Sequence, residues 1–118
     1  MQMAKLTLTF FDATRGVAIP NIDVEIQKIH DGNWQTIAAM VSDLKGDVNV
    51  TAEDADGDLS GYYEATAHIG SYFLSAGYAL PTLKFIDVVP IRFGIAEAEA
   101  DTTLVISVTP YGYSFLAK

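Results

Sequence analysis

Imidazole and thiol side chains, which often carry out acid–base, nucleophilic or metal chemistry, are scarce in this sequence. It contains two histidines, His30 and His68, and no cysteine. His30 falls in a polar turn and His68 near the end of a predicted strand, positions typical of ordinary surface or strand histidines. A zinc site would need further ligands at suitable spacing, and the sequence offers none. We therefore expect no metal site, no disulfide and no cysteine nucleophile.

Aspartates, a serine and an arginine are the remaining candidates for chemistry. The acidic run 54–58 resembles half of a calcium loop, but the later oxygen ligands are missing, which favours a solvated loop. Ser114 has no Gly-x-Ser-x-Gly context and is not expected to be a nucleophile. Arg15 is expected to pair with Asp12 and thereby to fix a turn.

A period of two in the apolar residues indicates that strands position these groups. Turn signals such as Asp-Gly separate the segments, and this spacing is typical of an all-β sandwich or barrel. Segment 71–77 ends in glycine and predicts about two turns of helix. Pro90 cannot donate to a ladder and predicts an edge strand or a bulge. The predicted strands are 6–11, 22–27, 34–41, 47–51, 61–69, 85–95, 102–108 and 113–117.

Composition indicates one domain spanning residues 1–118, because 50% of the 118 residues are apolar and can form a core. The formal net charge of -8 would repel phosphate backbones, which argues against nucleic-acid binding. No apolar run approaches the length of a membrane span. The first residues show no signal-peptide pattern, and cysteines are absent, so a cytoplasmic location is expected.

Several segments together resemble the transthyretin and 5-hydroxyisourate hydrolase superfamily. The segments Phe11-Asp-Ala-Thr-Arg-Gly16 and Asn21-Ile-Asp-Val24 are similar to its first-strand signature. Near the carboxyl end, Thr109-Pro-Tyr-Gly-Tyr-Ser114 resembles the family's Ser-Pro-Tyr-Gly/Ser-Tyr-Ser. Gly61-Tyr-Tyr63 and Gly70-Ser-Tyr-Phe73 match a strand and the start of its one helix. The segments occur in the family's order and cover essentially the whole chain.

The resemblance implies a transthyretin-like sandwich of two four-stranded antiparallel sheets with one short helix. It also implies a homotetramer, a dimer of dimers, with a channel between the dimers. In one branch of the family, the channel mouths open the ring of 5-hydroxyisourate during urate breakdown; in the other, the channel binds thyroid hormone. We expect no cofactor, and neither nucleic acid nor a membrane as a partner.

The catalytic residues of the hydrolase branch are missing at the corresponding positions. By resemblance, its two histidines fall on Thr9 and Thr103, its arginine on Asp47, and its terminal tetrapeptide on residues 116–118. Threonines are not general bases near neutral pH, and Asp47 places an anion where the hydrolases have a cation. The expectation is therefore that no catalytic residue remains and that 5-hydroxyisourate is not hydrolysed.

The resemblance instead implies a channel for a small cyclic ligand, neutral or cationic because Asp47 is negative. Its walls are formed by Thr9, Phe11, Asp47, Thr103, Val105, Ser107, Ser114 and Leu116. Tyr111 and Tyr113 are expected in a subunit interface, because a phenol combines an apolar ring with a polar tip. Three alternatives stay open: an enzyme acting on a different heterocycle, a divergent 5-hydroxyisourate hydrolase, and a structural tetramer with a plugged channel.

Overall fold

Two packed β-sheets and one short helix make up the computed structural model, which describes residues 4–118. Met1, Gln2 and Met3, on which the expectation of no signal peptide partly rests, lie outside the described residues. In chain order the elements are β1 (Lys5–Asp12), β2 (Val17–Ala18), β3 (Asp23–His30), β4 (Asn33–Val41), β5 (Asp47–Thr51), β6 (Gly61–His68), α1 (Gly70–Ser75), β7 (Val88–Ile95), β8 (Thr102–Thr109) and β9 (Gly112–Ala117).

The first sheet is built around β1, which pairs with β2 and β5 on one side and with β8 on the other; β9 follows β8. The second sheet has the order β4-β3-β6-β7. The predicted all-β sandwich with one helix is confirmed. Two details differ from the expected pair of four-stranded antiparallel sheets: the two-residue β2 makes the first sheet five-stranded, and β1 runs parallel to β8. Apolar alternation indicates which face of a strand is buried, but not its direction.

Alternation along β1 divides its side chains between the core and the outside. Leu6, Leu8 and Phe10 are fully buried between the sheets. Each of these side chains stabilises the fold by about 1.5–3 kcal/mol through burial. Because successive side chains point to opposite faces, Thr7 and Thr9 must lie on the outer face of the sheet. Burial of the three apolar side chains therefore fixes Thr7 and Thr9 on the outer face.

The turn before β5 is held tightly against β1. The backbone N–H groups of Lys45 and Asp47 both donate to Asp43 Oδ1, each at 2.9 Å. Gly46 has φ 79°, and a Cβ at this position would lie 2.5 Å from the carbonyl oxygen of Phe10. Only glycine fits such a close approach at positive φ. The turn consequently fixes where β5 begins and where Asp47 stands.

A buried carboxylate connects α1 and the segment after it to the end of β1. The side chain of Asp12 is fully buried. Its Oδ2 accepts hydrogen bonds from the hydroxyls of Tyr72 at 2.8 Å and Tyr78 at 2.9 Å. Its Oδ1 accepts from the backbone N–H groups of Thr14 and Arg15. The four donors satisfy the carboxylate without a cation.

The predicted ion pair between Arg15 and Asp12 is wrong. The Arg15 guanidinium donates to the carbonyl oxygen of Ala76 at 2.6 Å and lies over the Tyr78 ring, 4.6 Å from its centroid. The reason is that the two tyrosine hydroxyls already occupy the side of the carboxylate that the guanidinium would need.

The ends of two elements differ slightly from prediction. The helix ends at Ser75, two residues before Gly77, which has φ 89° and turns the chain. Strand β7 begins at Val88 rather than Phe85, and Pro90 lies on this edge strand as its missing N–H requires. Among residues 4–118, no helix is long and apolar enough to cross a membrane.

Candidate functional site

The outer face of the first sheet brings together all eight residues predicted to line a channel. Within each of β1 and β8, fully or largely buried residues alternate with these positions, so the predicted residues share the side away from the core. Cross-strand pairing arranges them with two further residues in three rows. The polar row is Asn49, Thr7 and Thr103; the central row is Asp47, Thr9, Val105 and Leu116; the aromatic row is Phe11, Ser107 and Ser114.

The central row contains the one carboxylate of the predicted set. Thr9 Oγ1 donates to Asp47 Oδ1 at 2.7 Å across the β1–β5 pair. Asp47 is half-buried, and the Asp43 turn described above fixes its backbone. An ionised carboxylate accepts hydrogen bonds at both oxygens, so Oδ2 can accept from a further donor. Toward β9 the row becomes apolar with Val105 and Leu116. The arrangement offers a fixed proton acceptor beside an apolar wall.

The polar row includes two residues that the sequence prediction missed. Thr7 Oγ1 donates to Asn49 Oδ1 at 2.8 Å, and Thr103 lies opposite Thr7 on β8. Both missed residues lie two positions from predicted ones, Thr7 from Thr9 and Asn49 from Asp47. The period of two along a strand was therefore the signal that could have identified them.

The aromatic row ends the face with one large ring and two small hydroxyls. Phe11 lies opposite Ser107, which in turn lies opposite Ser114. Leu116, the adjacent apolar residue on β9, is 61% exposed. Apolar area left open next to convergent polar groups is typical of a surface that another molecule covers.

The two histidines lie on the other sheet, away from this face. His68 Nε2, on β6, is 3.5 Å from Glu25 Oε1, and His30 Nε2 is 3.4 Å from Asp31 Oδ2. Within the described range, no group of three His, Cys, Asp or Glu side chains could hold a metal ion. No imidazole can therefore take part in chemistry on the outer face of the first sheet within one chain.

Two aspartates of the acidic run 54–58, Asp54 and Asp58, accept hydrogen bonds in local turns. Asp54 Oδ2 accepts from the backbone N–H of Thr51 at 2.9 Å and from its hydroxyl at 3.1 Å. Asp58 Oδ1 accepts from the backbone N–H and the hydroxyl of Ser60. Those bonds, the backbone one above all, lower the pKa of Asp58. Both carboxylates act as turn acceptors.

The tyrosines predicted to lie in an interface are both solvent-accessible in the single chain. Tyr111 is 62% exposed and Tyr113 is 41% exposed. The Tyr111 ring lies 5.9 Å from the Phe85 ring, centroid to centroid, and Phe85 is itself largely exposed. This apolar surface adjoins the hairpin that carries Ser114 and Leu116.

Known proteins match both the sequence and the fold. A family model described as the HIUase/Transthyretin family matches residues 6–116. 5-Hydroxyisourate hydrolase 2 of Rhizobium meliloti is 31% identical over 93% of this chain and 92% of its own length. 5-Hydroxyisourate hydrolase of Ralstonia nicotianae is 30% identical over 95% of this chain and 96% of its own length. The crystal structure of transthyretin from Sparus aurata superimposes with a TM-score of 0.79 at 22% identity, over 96% of this chain and 95% of that one.

These relatives contradict the prediction of a small-molecule binder that does not hydrolyse 5-hydroxyisourate. Relatives named 5-hydroxyisourate hydrolase match nearly the whole chain at 24–31% identity. The prediction gave the missing imidazoles and guanidinium at Thr9, Asp47 and Thr103 more weight than the similarity of the whole chain, although a carboxylate is itself able to take a proton.

Proposed function

The chain belongs to the HIUase/Transthyretin family, and on that premise we propose that it is a divergent 5-hydroxyisourate hydrolase. The reaction is the hydrolytic opening of a ring at a carbonyl–nitrogen bond, and its site is the outer face of the first sheet. The named relatives support this reaction because they match over more than nine-tenths of the chain. The observation that carries the proposal is the Asp47 carboxylate fixed by Thr9 in the middle of that face.

Asp47 serves as the general base in this proposal. Thr9 donates its hydroxyl hydrogen to Oδ1, which orients the carboxylate and leaves Oδ2 to accept a proton from water. The water oxygen bonds to the ring carbonyl carbon as its proton passes to Asp47. The carbon–nitrogen bond then breaks, and the proton moves from Asp47 to the departing ring nitrogen. The products are an open-chain carboxylic acid and the released N–H group, so Asp47 ends the cycle unprotonated.

Hydroxyl groups and apolar side chains complete the site. The carbonyl oxygen becomes negative during attack, and its proposed donor is the Thr103 hydroxyl on β8, on the other side of β1 from Asp47. Val105 and Leu116 provide an apolar wall for the ring. Asp47 also favours a neutral or cationic ring over an anionic one, because like charges repel. Threonine hydroxyls and a carboxylate thus take the positions where the resemblance implies imidazoles and a guanidinium in the hydrolase branch.

The experiment compares Asp47→Asn with the wild type in the decay of freshly generated 5-hydroxyisourate. Loss of a general base typically lowers the rate about 10²–10⁴-fold, so kcat should fall by that factor while the chain stays folded. Asp23→Asn is the matched control, since Asp23 is exposed on β3 of the other sheet. Decay no faster with wild-type protein than without protein would overturn the proposal, as would full activity in Asp47→Asn.

Self-association belongs to the same proposal. The outer face of the first sheet is open in the single chain, and Leu116 and the β9 edge are exposed. A second copy packed over this face would turn it into a closed channel that shields Asp47 from bulk solvent and leaves room for the one attacking water. Two such pairs of copies would form the homotetramer implied by the resemblance. Exclusion of water strengthens every electrostatic interaction within a site.

A further inference from the structure

The pair formed by Thr7 and Asn49 stands next to the proposed catalytic pair on the same face. We propose that Asn49 binds a second carbonyl of the substrate ring, and that Thr7 positions it. This inference rests on the proposed hydrolysis at Asp47. The substrate proposed above has more than one ring carbonyl, so one can be attacked by water while another is held by the asparagine.

Orientation of the amide is the first step of the argument. Thr7 Oγ1 donates to Asn49 Oδ1 at 2.8 Å. Because the amide oxygen faces Thr7, the amide nitrogen is turned away from it and presents its two hydrogens. A carbonyl oxygen is the natural partner for those donors. The threonine thus sets Asn49 as a donor in the same way that Thr9 sets Asp47 as an acceptor.

Spacing is the second step. Asn49 and Asp47 are separated by one residue on β5 and lie on the same face, so their Cα atoms are about 6.5 Å apart. A ring whose bound carbonyl and attacked carbonyl lie on different sides of the ring can span that separation. The combination of an acceptor and a donor on one strand therefore sets the ring in a single orientation relative to Asp47.

Charge is the third step. An amide donates hydrogen bonds without carrying a positive charge. A lysine or arginine at position 49 would pair with Asp47 and hold its carboxylate away from water. Asn49 supplies donors and leaves the carboxylate available as a base.

Asparagine is also disfavoured in strands, and the exposed hydrogen bond to Thr7 adds little stability, so fold stability alone does not explain the pair.

The test separates substrate binding from chemistry in four variants assayed with 5-hydroxyisourate. Asn49→Ala removes the donors and should raise KM about 3–10-fold, the effect of one hydrogen bond, with kcat nearly unchanged. Asn49→Asp keeps the shape but repels a carbonyl oxygen, and should raise KM further. Thr7→Val frees the amide to rotate and should raise KM less than Asn49→Ala does. Thr7→Ser keeps the hydroxyl and should therefore keep the wild-type KM.

Gln35→Ala is the control, because Gln35 is exposed on β4 of the other sheet. Urea unfolding of each variant checks that KM is not changed by loss of fold. If the wild type and Gln35→Ala are active and both Asn49 variants keep the wild-type KM, the inference is overturned while the proposed function stands. If the wild type itself is inactive, both are overturned. A change confined to kcat would also reject Asn49 as a binding residue.

Discussion

Individual residues show which positions sequence reasoning could place on a face of the sheet and which contacts it could not foresee. All eight predicted channel residues share one face, because the resemblance supplied their positions and the period of two supplied their direction. Asn49 was missed because the resemblance transfers only residues that act in relatives. The Arg15–Asp12 pair was wrong because two tyrosines far along the chain, Tyr72 and Tyr78, supply the donors. Contacts of this kind depend on packing that no local pattern reveals.

The buried carboxylate of Asp12 makes a prediction about pH. Burial raises its pKa, but the hydrogen bonds from Tyr72, Tyr78 and the two backbone N–H groups lower it more, so its pKa lies below the ordinary 3.8. A lowered folded-state pKa gives stability that is present above the unfolded value and lost as pH falls through the folded value. Asp12→Asn replaces one acceptor oxygen by a donor NH2 group, which leaves two of the four donors without an acceptor, and should cost about 1–3 kcal/mol in urea unfolding at pH 7.

The same substitution has two further readouts. The stability difference between wild type and Asp12→Asn should shrink as pH falls below about 4, because the wild type then loses its carboxylate. Burial, together with Asp12, raises the pKa of Tyr72 to about 12. In Asp12→Asn that phenol should ionise at lower pH in an ultraviolet titration. Equal stability of the two proteins at pH 7 would reject the carboxylate as the anchor of this segment.

Strands and turns were the most predictable level of structure. Periodicity located all eight of the longer strands within a few residues, because burial of alternate side chains enforces both the strand and its face. The two-residue β2 has too few residues to show a period. The parallel pairing of β1 with β8 could not be derived from the residues of either strand. Whether two strands run parallel or antiparallel depends on the path of the chain between them.

Two glycines at positive φ give a matched test of the turn before β5. Gly16 has φ 74°, and a Cβ added there would meet nothing within 4 Å, whereas a Cβ on Gly46 would strike the Phe10 carbonyl oxygen at 2.5 Å. Each Gly→Ala change should cost about 1–2 kcal/mol for left-handed backbone. Gly46→Ala should cost about 1–3 kcal/mol more for the clash, as measured by urea unfolding.

Gly46→Ala should also lower hydrolysis, because Asp47 is the next residue and shifts with the turn. Gly16→Ala should retain activity at temperatures where it stays folded. Equal losses of stability in the two variants would show that the contact with Phe10 does not control the position of β5.

At the scale of the whole molecule, one chain is a folded sandwich whose first sheet leaves apolar side chains open to solvent. The buried residues form a core between the sheets, yet apolar side chains remain open on and beside the first sheet, notably Leu116, Tyr111 and Phe115. The net charge of -8 on each chain opposes association at low ionic strength. Apolar burial must therefore exceed the repulsion if copies assemble, and salt should favour assembly by screening it.

The final prediction is that closure of this face by other copies is needed for activity. Light scattering of the wild type at micromolar concentration should give about four times the chain mass of 12.8 kDa. Leu116→Glu places a charge where assembly is expected to bury the side chain, and burying that charge should cost several kcal/mol per chain. The variant should therefore form smaller species than the wild type. These species should keep the circular dichroism of a β-sheet protein but lose hydrolysis. Leu44→Glu makes the same change in an 89% exposed turn and should leave both mass and activity unaltered. A wild type that is monomeric yet active would show that a single open face suffices, because the chemistry would then proceed without the water exclusion that assembly provides.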